Sequence, residues 1–172
     1  APGKGFNIYK TKQGISVGVL NLMGNVYMKK CEDVFEISSK FIKEYKLKED
    51  YDLLVVDFHG ELTSEKNAMG HFFDGKATLF VGTHTHIPTN DARILNGGTA
   101  YQTDAGMCGD YNSVIGMNKE ISLDRFMKKK HVKNSPALGD ASLCGVIVEC
   151  DIKSGLAKKI ESYVSGGQLT NY

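Results

Sequence analysis

Apolar and polar positions alternate between strand-like and helix-like spacing along the first half of the chain. Residues 15–23 alternate as a strand does, and Gly24 ends the pattern. From Asp33 to about Tyr45, apolar residues recur at offsets of 3, 7, 8 and 11, which describes one face of an amphipathic helix. The run Leu53–Val56 is apolar throughout, so both of its faces must be covered, as in a parallel strand of an α/β sheet.

The second half continues the alternation and finishes with antiparallel strands. The predicted elements are a helix over Thr63–Phe73 with a Ser or Thr cap, a buried strand over Ala77–Val81 closed by Gly82, a short strand over 99–104, a helix over 119–130, and strands over Leu143–Asp151 and Ala157–Val164 joined by a hairpin turn. The opening Ala-Pro-Gly-Lys-Gly is predicted to be a turn with no leading strand or helix. The fold class is therefore α/β, in a single domain over residues 1–172.

Composition narrows the function classes. Hydrophobic residues make up 41% and charged residues 24%, which excludes disordered, collagen-like and coiled-coil proteins. A net charge of +1 and only two arginines argue against nucleic-acid binding through bulk charge. The lysines at Lys128–Lys130, beside His131 and Lys133, are expected to be a solvated last helical turn.

The apolar runs also bear on location. None approaches the roughly 18 to 20 residues of a membrane span, and the opening residues lack the apolar segment of a signal peptide. The four cysteines form no CxxC pair, so we expect reduced thiols. Cys144 and Cys150 are expected to lie in one strand, too far apart to pair. These features predict a cytoplasmic protein.

Histidines follow both buried strands, where α/β sheets bind ligands. His59 comes after Leu53–Val56, and His84 and His86 come after Ala77–Val81. Residues i and i+2 of an extended segment face the same way, so the two imidazoles of the H-x-H pair can line one cavity. Neutral imidazole suits zinc, manganese and iron. We therefore expect the three histidines to converge on a metal site.

Carboxylates near these strand ends could act as further ligands or accept the ring N–H groups. The candidates are Asp57, Glu61, Asp74, Asp91 and Asp104. Asp57 is the best candidate to accept the N–H of a metal-binding histidine ring. Asp74 precedes Gly75 and is expected to be a turn residue. The sequence identifies no catalytic residue.

Four segments resemble the YmdB-like calcineurin-type metallophosphoesterases, bacterial 2′,3′-cyclic-nucleotide 2′-phosphodiesterases. The segments are 57–66 (DFHGELTSEK), 81–89 (VGTHTHIPT), 98–107 (GTAYQTDAGM) and 111–117 (YNSVIGM). The resemblance implies a sandwich of two mixed sheets flanked by helices, and two divalent or mixed-valence metal ions of iron, manganese or zinc. It implies that His59 and His84 bind one metal and His86 the other. The expected substrate is a small phosphodiester or cyclic nucleotide, with a homo-oligomer possible.

The resemblance begins partway into the family sequence. The family's other metal ligands and its general acid belong to amino-terminal motifs that this sequence lacks, so we expect an amino-terminally truncated domain that is weak or inactive in isolation. Two other functions stay open. One is a non-catalytic module that keeps the fold and acts through assembly, and the other is a mononuclear zinc hydrolase. Metal stoichiometry distinguishes the three.

Overall fold

The computed structural model describes residues 3–128 and 133–169 as a mixed α/β structure. The elements are β1 (Phe6–Lys10), β2 (Ser16–Met23), α1 (Val34–Glu44), β3 (Leu53–His59), α2 (Thr63–Phe73), β4 (Leu79–Thr83), β5 (Arg93–Ile94), β6 (Ala100–Gln102), β7 (Gly109–Asp110), α3 (Lys119–Phe126), β8 (Ala141–Cys150) and β9 (Ala157–Ser165). The predicted α/β class is confirmed.

The main sheet has six strands in the order β1-β2-β3-β4-β6-β5. Strands β2, β3, β4 and β6 run parallel, and β1 and β5 run antiparallel at the two edges. The parallel order brings the carboxyl ends of β3 and β4 side by side, with His59 in register with Thr83. The histidines that follow these strands therefore share one edge of the sheet. A second, antiparallel sheet has the order β7-β8-β9 and contains the predicted hairpin.

The core lies between one face of the main sheet and the helices α1 and α2. Alternate strand residues such as Leu20, Val56 and Phe80 are buried there with Phe41 of α1 and Phe73 of α2. The 3.6-residue and 2-residue periods of the sequence produce this arrangement, because each period gives its element one apolar side. Removing this apolar surface from water is the main stabilising contribution.

Helices α1 and α2 begin within a residue of their predicted starts but differ at their caps. The Asp33 side chain caps α1 by accepting the Glu36 N–H at 2.9 Å. Leu62 occupies the cap position of α2 and makes no side-chain cap bond, so the predicted Ser or Thr cap is wrong. Thr63 is instead the first helical residue.

Three short strands were not predicted, and they depend on pairing rather than on their own pattern. Strand β1 overturns the expected absence of a leading element, since it pairs with β2 along its whole length. Four of its five residues are exposed, so it carries no apolar alternation. The Phe6 ring anchors it through contacts with Phe41 and Tyr45, at centroid distances of 4.8 Å each. Strands β5 and β7 have two residues each, too few for any period to show.

The end of the predicted helix at 119–130 falls partly outside the described residues. Helix α3 ends at Phe126, and Lys128 is exposed with a φ of 54°. Lys129, Lys130 and His131 lie outside the described ranges. All four cysteines are free, as expected, and the assignment of Cys144 and Cys150 to one strand is confirmed by β8.

Candidate metal centre

Two of the three predicted histidines meet at the carboxyl edge of the main sheet. His59 is the last residue of β3, and His84 follows β4 directly. Nδ1 of His84 lies 3.0 Å from Nε2 of His59. The rings are perpendicular, with an interplanar angle of 89° and centroids 4.8 Å apart. A ring nitrogen at the end of β3 thus faces one from the residue after β4, which brings two potential ligands together.

Thr83 orients the His59 ring from behind. Its hydroxyl donates to Oδ1 of Asp57 at 3.0 Å and lies 3.1 Å from Nδ1 of His59. Because the hydroxyl hydrogen points to the carboxylate, its oxygen accepts the Nδ1–H of His59, and the lone pair falls on Nε2. This tautomer presents Nε2 toward His84. Metal-bound histidines have their other ring nitrogen held in the same way.

Asp57 therefore reaches the histidine through a hydroxyl and not directly. Its other oxygen, Oδ2, accepts a hydrogen bond of 2.9 Å from the Asn21 side chain. The motif pattern did not single out Thr83. The signal that identifies it is register, because Thr83 is the cross-strand partner of His59, and register is known only once β3 and β4 are paired.

Burial first, and then the neighbouring His84 ring, lower the pKa of His59. Both effects disfavour the imidazolium, so His59 is held neutral and keeps its lone pair. The second nitrogen of His84, Nε2, lies 3.1 Å from Oε2 of Glu61. His84 thus has a polar atom opposite each of its ring nitrogens, Nε2 of His59 on one side and a Glu61 carboxylate oxygen on the other.

His86 is held by a different part of the chain. Its Nδ1–H donates to the carbonyl oxygen of Ile115 at 2.8 Å, which leaves the lone pair of the neutral ring on Nε2. Within the described ranges no three His, Cys, Asp or Glu side chains come close enough to hold one metal ion. The structure therefore brings His59 and His84 together, and metal binding by all three histidines stays a prediction.

The loop that carries His84 and His86 has an unusual backbone. The φ angles of the two residues are 111° and 67°, a region that L-residues rarely adopt. Such conformations cost on the order of 1–3 kcal/mol each, and they persist only where the surrounding structure holds them. Strained backbone of this kind concentrates at functional sites.

The remaining carboxylate candidates bind backbone and basic groups. Asp74 accepts the N–H of Gly97 at 2.7 Å, which agrees with its expected place in a turn. Asp91 binds Arg93 at 2.9 Å, and Asp104 binds Lys66 at 2.8 Å. Of the five candidates, only Glu61 contacts a histidine, while Asp57 contacts one through Thr83.

The donor groups present fit part of a metal centre. Neutral imidazole nitrogens with a fixed tautomer are ligands for zinc, iron or manganese, and Glu61 adds a carboxylate beside His84. A closed site needs about four ligands, more than His59 and His84 provide. The described residues therefore account for the imidazole ligands of such a site but not for a complete ligand set.

Comparison with known proteins identifies the family. Residues 1–163 match the family model described as YmdB-like protein. The chain belongs to the YmdB-like family. It is 41% identical over 160 residues to the 2′,3′-cyclic-nucleotide 2′-phosphodiesterase of Bacillus subtilis (strain 168), a match that covers 93% of this chain and 60% of that protein. It is 40% identical over 162 residues to a putative phosphatase/phosphodiesterase of Mycoplasma genitalium, covering 92% of this chain and 56% of that protein.

Solved structures agree with this assignment. The fold superposes on a hypothetical protein from Thermus thermophilus with a TM-score of 0.88 at 36% identity, covering 98% of this chain and 64% of that one. It also superposes on a novel phosphatase from Mycoplasma pneumoniae with a TM-score of 0.85 at 36% identity. This match covers 95% of this chain and 58% of that one. The YmdB-like chain thus spans less than two thirds of these relatives. None of its described helices is long and apolar enough to cross a membrane.

Proposed function

We propose that this YmdB-like chain supplies the histidine ligands of a dinuclear-metal phosphodiesterase acting on small phosphodiesters such as 2′,3′-cyclic nucleotides. The observation that carries the proposal is the 3.0 Å approach of His84 Nδ1 to His59 Nε2 at the carboxyl edge of the parallel sheet. The 41% identity to the Bacillus subtilis enzyme supports the reaction class. We place the chain in the carboxyl-terminal part of a single calcineurin-like domain.

His59 and His84 would hold one metal ion, and His86 would hold the other. Divalent iron, manganese or zinc ions bound there would neutralise the phosphoryl oxygens and activate the attacking water. The chain's own residues prepare the ligands: Thr83 fixes the tautomer of His59, and the Ile115 carbonyl fixes that of His86. In the rings of His59 and His86, Nε2 is then the nitrogen with the free lone pair.

Three neutral imidazoles cannot offset the charge of two dications. A bridging carboxylate and a proton donor for the leaving oxygen are also needed. We assign both to the amino-terminal portion of the family, outside this chain, whose match covers 60% of the Bacillus subtilis protein. The cytoplasmic location and a homo-oligomeric state stay predictions.

Metal analysis beside an assay tests the proposal. The chain is loaded with Zn²⁺ or Mn²⁺ and assayed on 2′,3′-cyclic AMP and on bis-p-nitrophenyl phosphate, with and without the family's amino-terminal segment added as a separate polypeptide. We expect at most one metal per chain and poor turnover alone, and two metals with full turnover when the segment is present. A variant that lacks a histidine outside the site is the control. His71→Asn should leave metal content and turnover unchanged, since His71 is exposed on α2, away from the sheet edge.

Three other outcomes contradict the proposal. Two metals with undiminished turnover in the short chain would mean that other residues of this chain build the site. One metal with turnover that the added segment does not change would favour the mononuclear zinc hydrolase. No metal binding and no turnover, with or without the segment, would favour the non-catalytic module.

A further inference from the structure

A buried ion pair borders the loop that carries His84 and His86. Nζ of Lys66, in the first half of α2, lies 2.8 Å from Oδ2 of Asp104, and the two side chains are 0% and 1% exposed. In the other salt bridges of the described residues, each side chain is at least 29% exposed. Burying two charges often costs as much as their attraction returns, so stability alone is a poor explanation for this pair.

The Asp104 carboxylate also binds the backbone of the histidine loop. Oδ2 accepts the N–H of Thr85 at 3.0 Å, and Oδ1 accepts the N–H of Gly106 at 2.9 Å. Thr85 lies between His84 and His86, the two residues with positive φ. The bond to Asp104 therefore holds the peptide between two unfavourable backbone conformations, where an external contact is needed to keep them populated.

Lys66 reaches Asp104 by passing the end of β4. A Cβ built on Gly82 would lie 3.0 Å from Cδ of Lys66 and would collide with the carbonyl oxygen of Thr103. Gly82 is two residues before His84, so the lysine stem, the strand end and the segment after β6 meet at one point. The absence of a side chain at position 82 gives the lysine its path to the carboxylate.

The charge of Lys66 keeps Asp104 an ionised acceptor. Burial by itself would raise the pKa of Asp104, but the hydrogen bonds from Lys66, Gly106 and Thr85 outweigh it and hold that pKa below its usual value. Charged acceptors make shorter and stronger hydrogen bonds to N–H groups than neutral acceptors do. The ammonium of Lys66 thus strengthens the hydrogen bond that the Thr85 N–H donates to Asp104.

We propose that the Lys66–Asp104 ion pair positions the His84–Thr85–His86 loop and that the metal affinity of the site depends on this pair. The inference rests on the proposed function, because it concerns the same histidines. Lys66 and Asp104 are positioning residues: Asp104 acts on the loop through the Thr85 backbone, and Lys66 acts through Asp104.

The double variant Lys66→Met/Asp104→Asn tests the proposal. It removes both charges together, so that neither is left buried without its partner, and it conserves side-chain volume. Two quantities are measured on the whole chain: the hydrogen exchange of the Thr85 amide, and the Zn²⁺ affinity by calorimetry. We expect Thr85 exchange to rise about tenfold or more and Zn²⁺ affinity to fall about 10- to 100-fold, the usual effect of losing a group that orients a ligand.

Lys48 and Asp52 provide a matched control. Their Nζ–Oδ1 distance is 2.6 Å, and Asp52 also accepts a backbone N–H, from Ser16 at 2.9 Å. This pair lies on the surface near the start of β3, at the opposite end of the sheet from the histidines. Lys48→Met/Asp52→Asn should leave Thr85 exchange and Zn²⁺ affinity at their wild-type values.

A folded Lys66→Met/Asp104→Asn chain with wild-type Thr85 exchange and wild-type Zn²⁺ affinity would overturn the proposal. If this double variant does not fold, Lys66→Gln/Asp104→Asn, which also removes both charges together but keeps polar groups, is measured by the same two criteria. A wild-type chain that binds no Zn²⁺, either alone or with the amino-terminal segment added, contradicts the proposed function and the dependence of metal affinity on the pair. In that case, hydrogen exchange of the Thr85 amide alone decides whether the Lys66–Asp104 pair positions the loop.

Discussion

Nε2 of His59 and Nδ1 of His84 lie 3.0 Å apart, although 25 positions separate the two residues in the chain. Strands β3 and β4 produce this approach, because they are parallel neighbours whose register sets His59 opposite Thr83. His84 is the next residue, and its φ of 111° belongs to the turn by which the chain leaves the strand. The metal-binding hypothesis depends on this contact more than on any other in the structure.

The first prediction concerns the hydroxyl of Thr83. Thr83→Val keeps the side-chain shape but removes the link between Asp57 and the His59 ring. The ring then loses its fixed tautomer, and we expect Zn²⁺ affinity to fall about 10- to 100-fold, measured by calorimetry.

Thr99→Val is the matched control for Thr83→Val. Thr99 is fully buried, and its hydroxyl binds the Phe73 and Ala77 carbonyl oxygens away from the histidines. We expect it to cost about 1–3 kcal/mol in the free energy of unfolding, because buried carbonyl groups lose a donor, and to leave Zn²⁺ affinity unchanged. Equal losses of affinity in the two variants would show that Thr83 has only a general structural role.

The second prediction concerns the histidines themselves. Asparagine tolerates positive φ better than most residues, so His84→Asn and His86→Asn remove the imidazole without adding backbone strain. We expect His59→Asn and His84→Asn each to lower Zn²⁺ affinity at least about tenfold. His86→Asn should lower the occupancy of the second metal when the amino-terminal segment is supplied. Unchanged metal binding in His59→Asn or His84→Asn would remove that residue from the ligand set.

The third prediction concerns the pH dependence of stability through Asp91. Burial would raise its pKa, but hydrogen bonds from Thr103, Thr89 and Arg93 lower the pKa below its ordinary value. A carboxylate whose pKa is lower in the folded state than in the unfolded state stabilises the fold above about pH 4. This contribution disappears as the pH falls through the folded pKa.

Asp91→Asn should therefore lower the free energy of unfolding by about 1–3 kcal/mol at pH 7, in urea titrations. The difference from wild type should shrink steadily below about pH 4. Asp140→Asn, at an exposed loop residue before β8, is the control and should leave stability unchanged. A difference that grows toward acid pH would have the wrong sign for this explanation.

The fourth prediction compares two strand glycines. A Cβ at Gly82 would collide with the carbonyl oxygen of Thr103, whereas a Cβ at Gly145 in β8 would meet nothing within 4 Å. Main-chain oxygen cannot move aside as a flexible side chain does. We expect Gly82→Ala to cost roughly 3 kcal/mol or more in the free energy of unfolding, measured in urea.

Gly145→Ala should be neutral or should stabilise the chain by about 0.5–1 kcal/mol, because alanine loses less backbone entropy on folding than glycine does. A similar cost for both substitutions would mean that the close approach of Thr103 to Gly82 does not restrict position 82.

Elements with a strong apolar period could be predicted from the sequence. The bounds of α2 are Thr63–Phe73, as predicted, and β2 and α1 lie within a residue of their predicted bounds. Strand β1 could not be predicted, because most of its residues face water and pairing with β2 makes it a strand. The predicted Ser or Thr cap of α2 was wrong because the tertiary contacts of Glu65 and Lys66 help to place this helix, whatever residue stands at its cap.

The sequence by itself determined the α/β class, the two strands that lead to His59 and His84, and the family resemblance that the comparisons confirm. The strand ends were wrong, since β3 continues to His59 and β4 runs through Gly82 to Thr83. Apolar periodicity and short motifs are local, so they can be seen along one chain. Tertiary structure decided the role of Thr83 beside His59 and the burial of Lys66 against Asp104. These contacts depend on strand register and on the path of one long side chain through the core, and both are properties of residues far apart in sequence.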